Sequence, residues 1–319
     1  MDRFVWEMGE FIVENVKKQD HLLLQLIATE ALKANPYHDA EGRFTHAGGG
    51  ISVHADKNRV WRNAEGKILS GPDQARLSKV PPAWKEVKLN PDPNGALQVK
   101  GMDGKGRTQY LYSAAHGEAA AAAKFQRLKE FHQGLPKIRK AIERDAKAGS
   151  DEAALLTLID KTGFRVGSET DTKAAKQAYG ASTLRAEHVK ISGSKVTFSF
   201  TAKKGVETNK TVDDSSLAKM LSPRVAAGGQ LFKATDSQVR SYLKEVSGNG
   251  FLPKDFRTWH GTNEALKFMK TLPVPGNKKE FTAAQKRVAE HVSKFLGNTP
   301  KVALDSYISP QVWSKWRTF

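Results

Sequence analysis

The chain has 319 residues, 39% of them hydrophobic, enough for two domains with cores of their own or for one large one. Lys and Arg number 51 against 34 Asp and Glu, a formal charge of +17 that points to a polyanionic partner, nucleic acid first among them. The absence of cysteine excludes disulfides, thiolate zinc sites and cysteine nucleophiles, and with no apolar run of membrane length and no leader pattern the chain reads as soluble and intracellular.

The charge is uneven. Residues 1–50 hold 5 basic and 8 acidic side chains, whereas the remaining 269 hold 46 and 26. The polyanion therefore belongs to the body of the chain. Residues 3–33 place Phe4, Met8, Phe11 and Ile12, then Leu23, Leu26 and Ile27, at helical spacing. NPYHDAEGRFTHAGGG (35–50) follows and has linker chemistry, closing on three glycines. Residues 1–55 are thus read as an amphipathic helical segment with a glycine-rich linker.

Over residues 56–115 the text alternates. VWRN, ALQVKG and TQYLY read as short antiparallel strands, and AEGK, PDPNG and DGKG as the turns between them. Residues 116–319 form a larger, mainly helical domain. GEAAAAAKFQRLKEFHQGL reads as a helix stopped at Gly134 and Pro136, with PKIRKAIERDAKAG as the next, Pro136 in its first turn. EAALLTLIDKTGF follows as a third helix. Residues 186–212 return to alternation, turning at Gly193 and at Lys204–Gly205, and read as a three-stranded meander set into the helical domain. From about residue 214 to the end the pattern is helical. The expected class is α+β.

Four stretches carry chemistry: TGFRVGSE with Arg165 after a helix stop, FTAKKG with Lys203 and Lys204 on a tight turn, PKDFRTWHGT with Arg257, and LGNTPKVALDSYISP with Asn298 and Tyr307. Singly, each has an ordinary explanation: a surface arginine, a solvated hairpin tip, a rim aromatic. In this order, and together with PPAWKEV, NPDPNG, DGKGRTQYLY, LPKIRKAIERD and YGASTLRAEHV, they resemble the small poxvirus- and bacterial-type IB DNA topoisomerases, the bacterial branch more closely. The resemblance runs from about residue 58 to 312.

The resemblance implies a C-shaped clamp around double-stranded DNA, made of a small N-terminal sheet domain and a helical catalytic domain. It implies relaxation of supercoils through a transient 3′-phosphotyrosyl bond, with no ATP, magnesium or other cofactor and no metal site. Tyr307 becomes the nucleophile, Arg165 and Arg257 the transition-state clamps, Lys203 the general acid and Asn298 a hydrogen-bond donor to the phosphate, with Lys254 supporting the proton transfer. Tyrosine suits the task because its phosphodiester stores the energy of the broken bond. A free phenol has a pKa of about 10, so planar arginine forks must stabilise the phosphorane. A lysine on a hairpin can give a proton to the leaving 5′ oxygen.

The chain departs from the viral pattern at Asn298, where poxvirus members have histidine, and at Ala202, where a glycine often precedes the hairpin lysine. An amide donates a hydrogen bond but carries no charge. His260 does not match the family's histidine position and reads as structural. Arg107, Gln109, Tyr110 and Tyr112 fall on one strand of the sheet domain and are candidate DNA contacts, with Lys204 a further one.

Two rival readings are a tyrosine recombinase or integrase, which shares the Arg-Lys-Arg-Tyr logic, and a non-catalytic DNA-binding virion protein. Recombinases place a histidine where Lys254 stands. Residues 35–50 resemble a motif of phage head proteins, which suggests virion association through residues 1–50. A monomer in the bacterial cytoplasm, or in a virion, is the expected setting.

Overall fold

A computed structural model describes residues 50–167 and 177–316, with Lys204 and Lys315 described by backbone alone. The predicted helices over 3–33 and the linker to Gly49 lie outside the described residues. The chain divides into two compact units, and the boundary between them falls after Lys124.

The first unit is built on a five-stranded antiparallel sheet. Its strands are β1 (Ile51–Ala55), β2 (Trp61–Asn63), β3 (Lys85–Leu89), β4 (Leu97–Met102) and β5 (Thr108–Tyr112), in the order β2-β1-β3-β4-β5. β1 thus begins inside the stretch read as linker. Val53, Trp61, Val87, Leu89 and Val99 alternate onto one face and bury with Leu77 and Val80. Leu77 comes from a short helix, α1 (Gly71–Leu77), that the strand reading passes over. Its start is written in the sequence: Ser70 caps the Asp73 N–H at 3.3 Å and Pro72 occupies the first turn.

The second unit begins within α2 (Ala114–Lys147), which runs unbroken through Gly134 and Pro136. The expected stop at Gly134/Pro136 is therefore corrected. Leu128, Phe131, Leu135, Ile138 and Ile142 form one continuous stripe buried in the unit's core. Burial of that stripe outweighs the single backbone hydrogen bond that Pro136 removes.

Against this stripe pack α3 (Asp151–Thr162), α4 (Ser215–Ala227), α5 (Asp236–Ser247) and α6 (Pro253–Met269), with the meander β6 (Val189–Ser192), β7 (Lys195–Ala202) and β8 (Val206–Asp213). The meander pairs antiparallel in the order β6-β7-β8. Finally, α7 (Lys278–Leu296) and α8 (Pro300–Ser306) close with α6 over a second apolar cluster containing Val288, Val292, Ile308, Val312 and Trp313. No described helix is long and apolar enough to cross a membrane.

Candidate active site

Arg165 is delivered by the end of α3. Gly163 closes that helix in the left-handed conformation, and the chain then pairs with residues 180–182. The Ala181 N–H donates to the Arg165 carbonyl at 2.8 Å and the Ser182 N–H to the Val166 carbonyl at 2.6 Å. Gly167 and Gly180 cross so closely that a Cβ on Gly180 would lie 2.4 Å from the Gly167 Cα. The backbone at Arg165 is thereby fixed, while its half-buried guanidinium makes no hydrogen bond or ion pair among the described residues.

Arg257 stands on α6 and is only 3% exposed. It donates to the Gly163 carbonyl and, at 2.9 Å, to the Leu296 carbonyl, while its Nε has no partner. Its guanidinium carbon lies 5.0 Å from the centre of the Tyr307 ring. Burial pushes its pKa down to about 10; the Tyr307 oxygen works against that and the charge of Arg165 adds to it. Arg257 therefore stays charged at neutral pH. Among the described residues no carboxylate pairs with Arg165 or Arg257, so Arg257 meets Tyr307 with a second cation, Arg165, close enough to act on its charge.

LGNTP is a helix stop followed directly by a start. Gly297 ends α7 in the left-handed conformation, Thr299 caps α8 by accepting from the Val302 N–H at 3.3 Å, and Pro300 fills its first turn. Asn298 is caught between them. Both polar atoms of its side chain are buried and have no partner among the described residues. Tyr307 closes α8, its N–H donating to the Ala303 carbonyl at 2.9 Å.

The structure thus brings Arg165, Arg257 and Tyr307 together, with Asn298 on the loop that follows Leu296. It does not bring the two lysines into contact with them. Lys203 is exposed in the tight turn between β7 and β8, and Lys254 is exposed at the start of α6; neither ammonium makes a hydrogen bond or ion pair among the described residues. Lys203 is, however, next to Ala202, which lines a cleft of about 200 Å³ together with Arg165, Arg257, Lys294 and Lys210.

Lys210, Gly261 and Thr262 were not singled out from the sequence. Lys210 had a readable signal. In VETNKTVD the inward positions of β8 are Val206, Thr208, Lys210 and Val212, so a lysine occupies the buried register of an alternating strand. Nothing in the local text marks Gly261 and Thr262, whose importance comes from a segment 45 residues away.

His260 lies on α6 with its Nε2 against the Asp160 carbonyl, and Asp160 is itself held by both nitrogens of an Arg139 fork at 2.8 and 2.9 Å. Burial pushes the His260 imidazole down to about 4, which leaves it neutral and structural.

In the sheet unit, Leu111 packs on the core, so the alternation of β5 turns Tyr110 and Tyr112 to the opposite face. Tyr112 is 38% exposed and stacks on His116 at 4.9 Å. Arg107 does not lie on β5; it sits in the turn before it, where Asp103 organises the loop. Arg107 pairs with Asp103 at 2.7 Å and Gln109 donates to it at 3.0 Å, and the Arg107 bond draws the carboxyl down to about 2. The turn forms because Asp103 also accepts the Lys105 and Arg107 N–H groups. Among the described residues there is no cluster of three or more acidic or histidine side chains able to hold a metal ion.

Residues 113–312 match the model of the eukaryotic DNA topoisomerase I catalytic core. The chain is 30% identical over 262 residues to a DNA topoisomerase 1B of Acanthamoeba polyphaga mimivirus, covering 74% of this chain and 77% of that protein. It is 26% identical over 227 residues to DNA topoisomerase 1 of rabbit fibroma virus, covering 66% and 69%. The DNA topoisomerase 1B of vaccinia virus (strain Copenhagen) is 23% identical over 227 residues, covering 66% and 70%. These relatives are viral, and they lend no support to a closer tie with the bacterial branch. With the catalytic-core match spanning α2 to the C-terminal 3₁₀ turn, the chain belongs to the type IB DNA topoisomerases and is a DNA isomerase.

Proposed function

We propose that the enzyme relaxes duplex DNA by attack of the Tyr307 phenol oxygen on a backbone phosphorus, with Arg165 and Arg257 bound to its non-bridging oxygens. The observation that carries this reading is the Arg257 guanidinium against the Tyr307 ring, with Arg165 close enough to act on its charge and no carboxylate paired with either arginine among the described residues. Two cations held side by side repel each other, and a phosphate dianion-like transition state relieves that repulsion. The unpartnered amide of Asn298 fits the same role, as a buried donor whose acceptor arrives with the substrate.

In the step itself the bond from phosphorus to the Tyr307 oxygen forms as the bond to the 5′ oxygen breaks. The phenol proton leaves to solvent, and Lys203 supplies a proton to the departing 5′ oxygen, which leaves as a hydroxyl, Lys254 assisting. The product is a 3′-phosphotyrosyl strand. After rotation the 5′ hydroxyl attacks the same phosphorus and restores the phosphodiester and the free tyrosine. Bond energy is conserved, so no ATP enters the balance. The exposure of Lys203 suits a residue that meets DNA from a hairpin tip.

We extend the reading to the sheet unit, where Tyr110 and Tyr112 share a DNA-contacting face, Gln109 and Arg107 contact DNA from the Asp103 turn that holds them, and Lys204 touches the DNA backbone near Lys203. The enzyme acts as a monomer. Its cellular setting is bacterial or phage-borne, with residues 1–50 as a separable segment for association with a virion; a 51–319 chain that fails to relax DNA counts against separability.

The test is to incubate the full chain with negatively supercoiled plasmid in EDTA without ATP, and then to trap the complex with detergent. Relaxation together with DNA covalently attached at residue 307 is expected. Relaxation that requires magnesium, or an adduct on another residue, removes this mechanism.

A further inference from the structure

Lys210 has no role in the scheme above, yet it is the most deeply committed lysine of the cleft. Its ammonium donates to the Thr162 carbonyl at 2.6 Å and to the Phe295 carbonyl at 3.1 Å. Arg257 takes the next carbonyl in each pair, Gly163 and Leu296. Thr162 ends α3 and Leu296 ends α7. Two cations therefore share the unpaired terminal carbonyls of two converging helices, where the helix dipoles are negative.

The ammonium also lies 3.4 Å from the centre of the Phe295 ring. Burial pushes its pKa down to about 8; Glu264 draws it back up and Arg257 presses it further down. It remains mostly charged at neutral pH. The two carbonyls it holds stand three residues before Arg165 and three residues before Asn298.

We propose that Lys210 is a positioning residue of the phosphate pocket, clamping the ends of α3 and α7 so that Arg165 and Asn298 are held ready for the scissile phosphate. The inference rests on the roles given above to Arg165 and Asn298. It adds that their placement depends on a charge from the meander, which neither helix supplies for itself. Without that charge the last carbonyls of α3 and α7 lose a shared partner, and the two segments lose a fixed separation.

The experiment measures single-turnover cleavage of a short duplex by saturating full-length enzyme, with the rate constant, the adduct amplitude and the DNA Kd read separately. Lys210→Met is expected to lower the rate constant about 10- to 100-fold with Kd changed less than about 3-fold. Inactive protein would lower the amplitude instead. In an Arg165→Ala background the same change should cost less than about 3-fold more, because the two act through one contact set. Lys210→Gln keeps a donor while removing the charge; it should behave like Lys210→Met and serves if that variant does not fold. A folded Lys210→Met or Lys210→Gln enzyme that cleaves within about twofold of wild type overturns the proposal, as does a loss that multiplies fully with that of Arg165→Ala. If Arg165→Ala alone cleaves at the wild-type rate, it is the pocket reading that fails, and the proposal falls with it.

Discussion

Gly261 presses against the backbone of Tyr307 so tightly that a Cβ at position 261 would stand 2.6 Å from the Tyr307 carbonyl oxygen and 2.8 Å from its Cβ. The neighbouring Thr262 hydroxyl donates to that carbonyl at 3.2 Å and accepts the Ser309 N–H at 3.1 Å. α6 therefore presents Arg257 and, one turn later, the seat of the tyrosine that Arg257 faces. Arg257 and the tyrosine it faces are thus both referenced to one helix.

This seat makes Gly261 sensitive. Gly261→Ala should displace Tyr307 and lower the single-turnover cleavage rate about 10- to 100-fold, since a misplacement near 1 Å is enough for that. DNA affinity should stay within a few-fold. A variant that cleaves normally would show that the tyrosine backbone has room the structure does not give it.

Tyr307→Phe should abolish relaxation and covalent adduct while leaving DNA binding within a few-fold of wild type. Only the oxygen is lost, and the ring can keep its contact with the Arg257 guanidinium. Gel-shift titration alongside plasmid relaxation separates the two effects.

The two arginines should differ in what they do to the fold. Arg165→Ala removes a side chain with no bond among the described residues, so cleavage should fall by orders of magnitude while Tm barely moves. Arg257→Ala also strands the buried Gly163 and Leu296 carbonyls, which costs roughly 2–4 kcal/mol of stability and lowers Tm by several degrees. Calorimetry beside cleavage kinetics distinguishes them.

Asn298 gives the opposite pattern. Both polar atoms of its side chain are buried without partners among the described residues, so Asn298→Ala should be neutral or slightly stabilising, while cleavage slows about tenfold or more. A variant that loses stability and keeps its rate would assign Asn298 to the fold.

His260 sets a pH window. Its folded pKa of about 4 lies below the ordinary 6.5, so the unfolded chain binds the extra proton first as pH falls. The contribution is fully present above about pH 6.5 and is lost on acidification toward 4, a change of roughly 3 kcal/mol. Denaturant midpoints should fall over that window, and His260→Gln should flatten the slope there.

The candidate site residues were legible because each sits in a short, strongly punctuated segment. Gly163 after α3 and the GNTP sequence after α7 mark where helices stop and start, and Arg165, Asn298 and Tyr307 occur beside those marks. The meander was legible from its alternation and its turns at Gly193 and Gly205. α2 was misread at Pro136 because a local breaker signal was weighed without the apolar stripe that carries the helix past it. α1 was missed because seven residues with one buried side chain leave little periodic pattern.

What the sequence determined by itself was the inventory: a basic chain, a sheet-bearing part and a helical part, and the set of residue types that phosphoryl transfer to tyrosine requires. Only the tertiary structure decided that Arg165 and Arg257 come close with no counter-ion among the described residues, that Gly261 seats Tyr307, and that Lys210 joins Arg257 at two helix ends. Those relationships link positions 39 to 94 residues apart. They depend on how buried faces pack, and no local propensity encodes the distance between two helix termini.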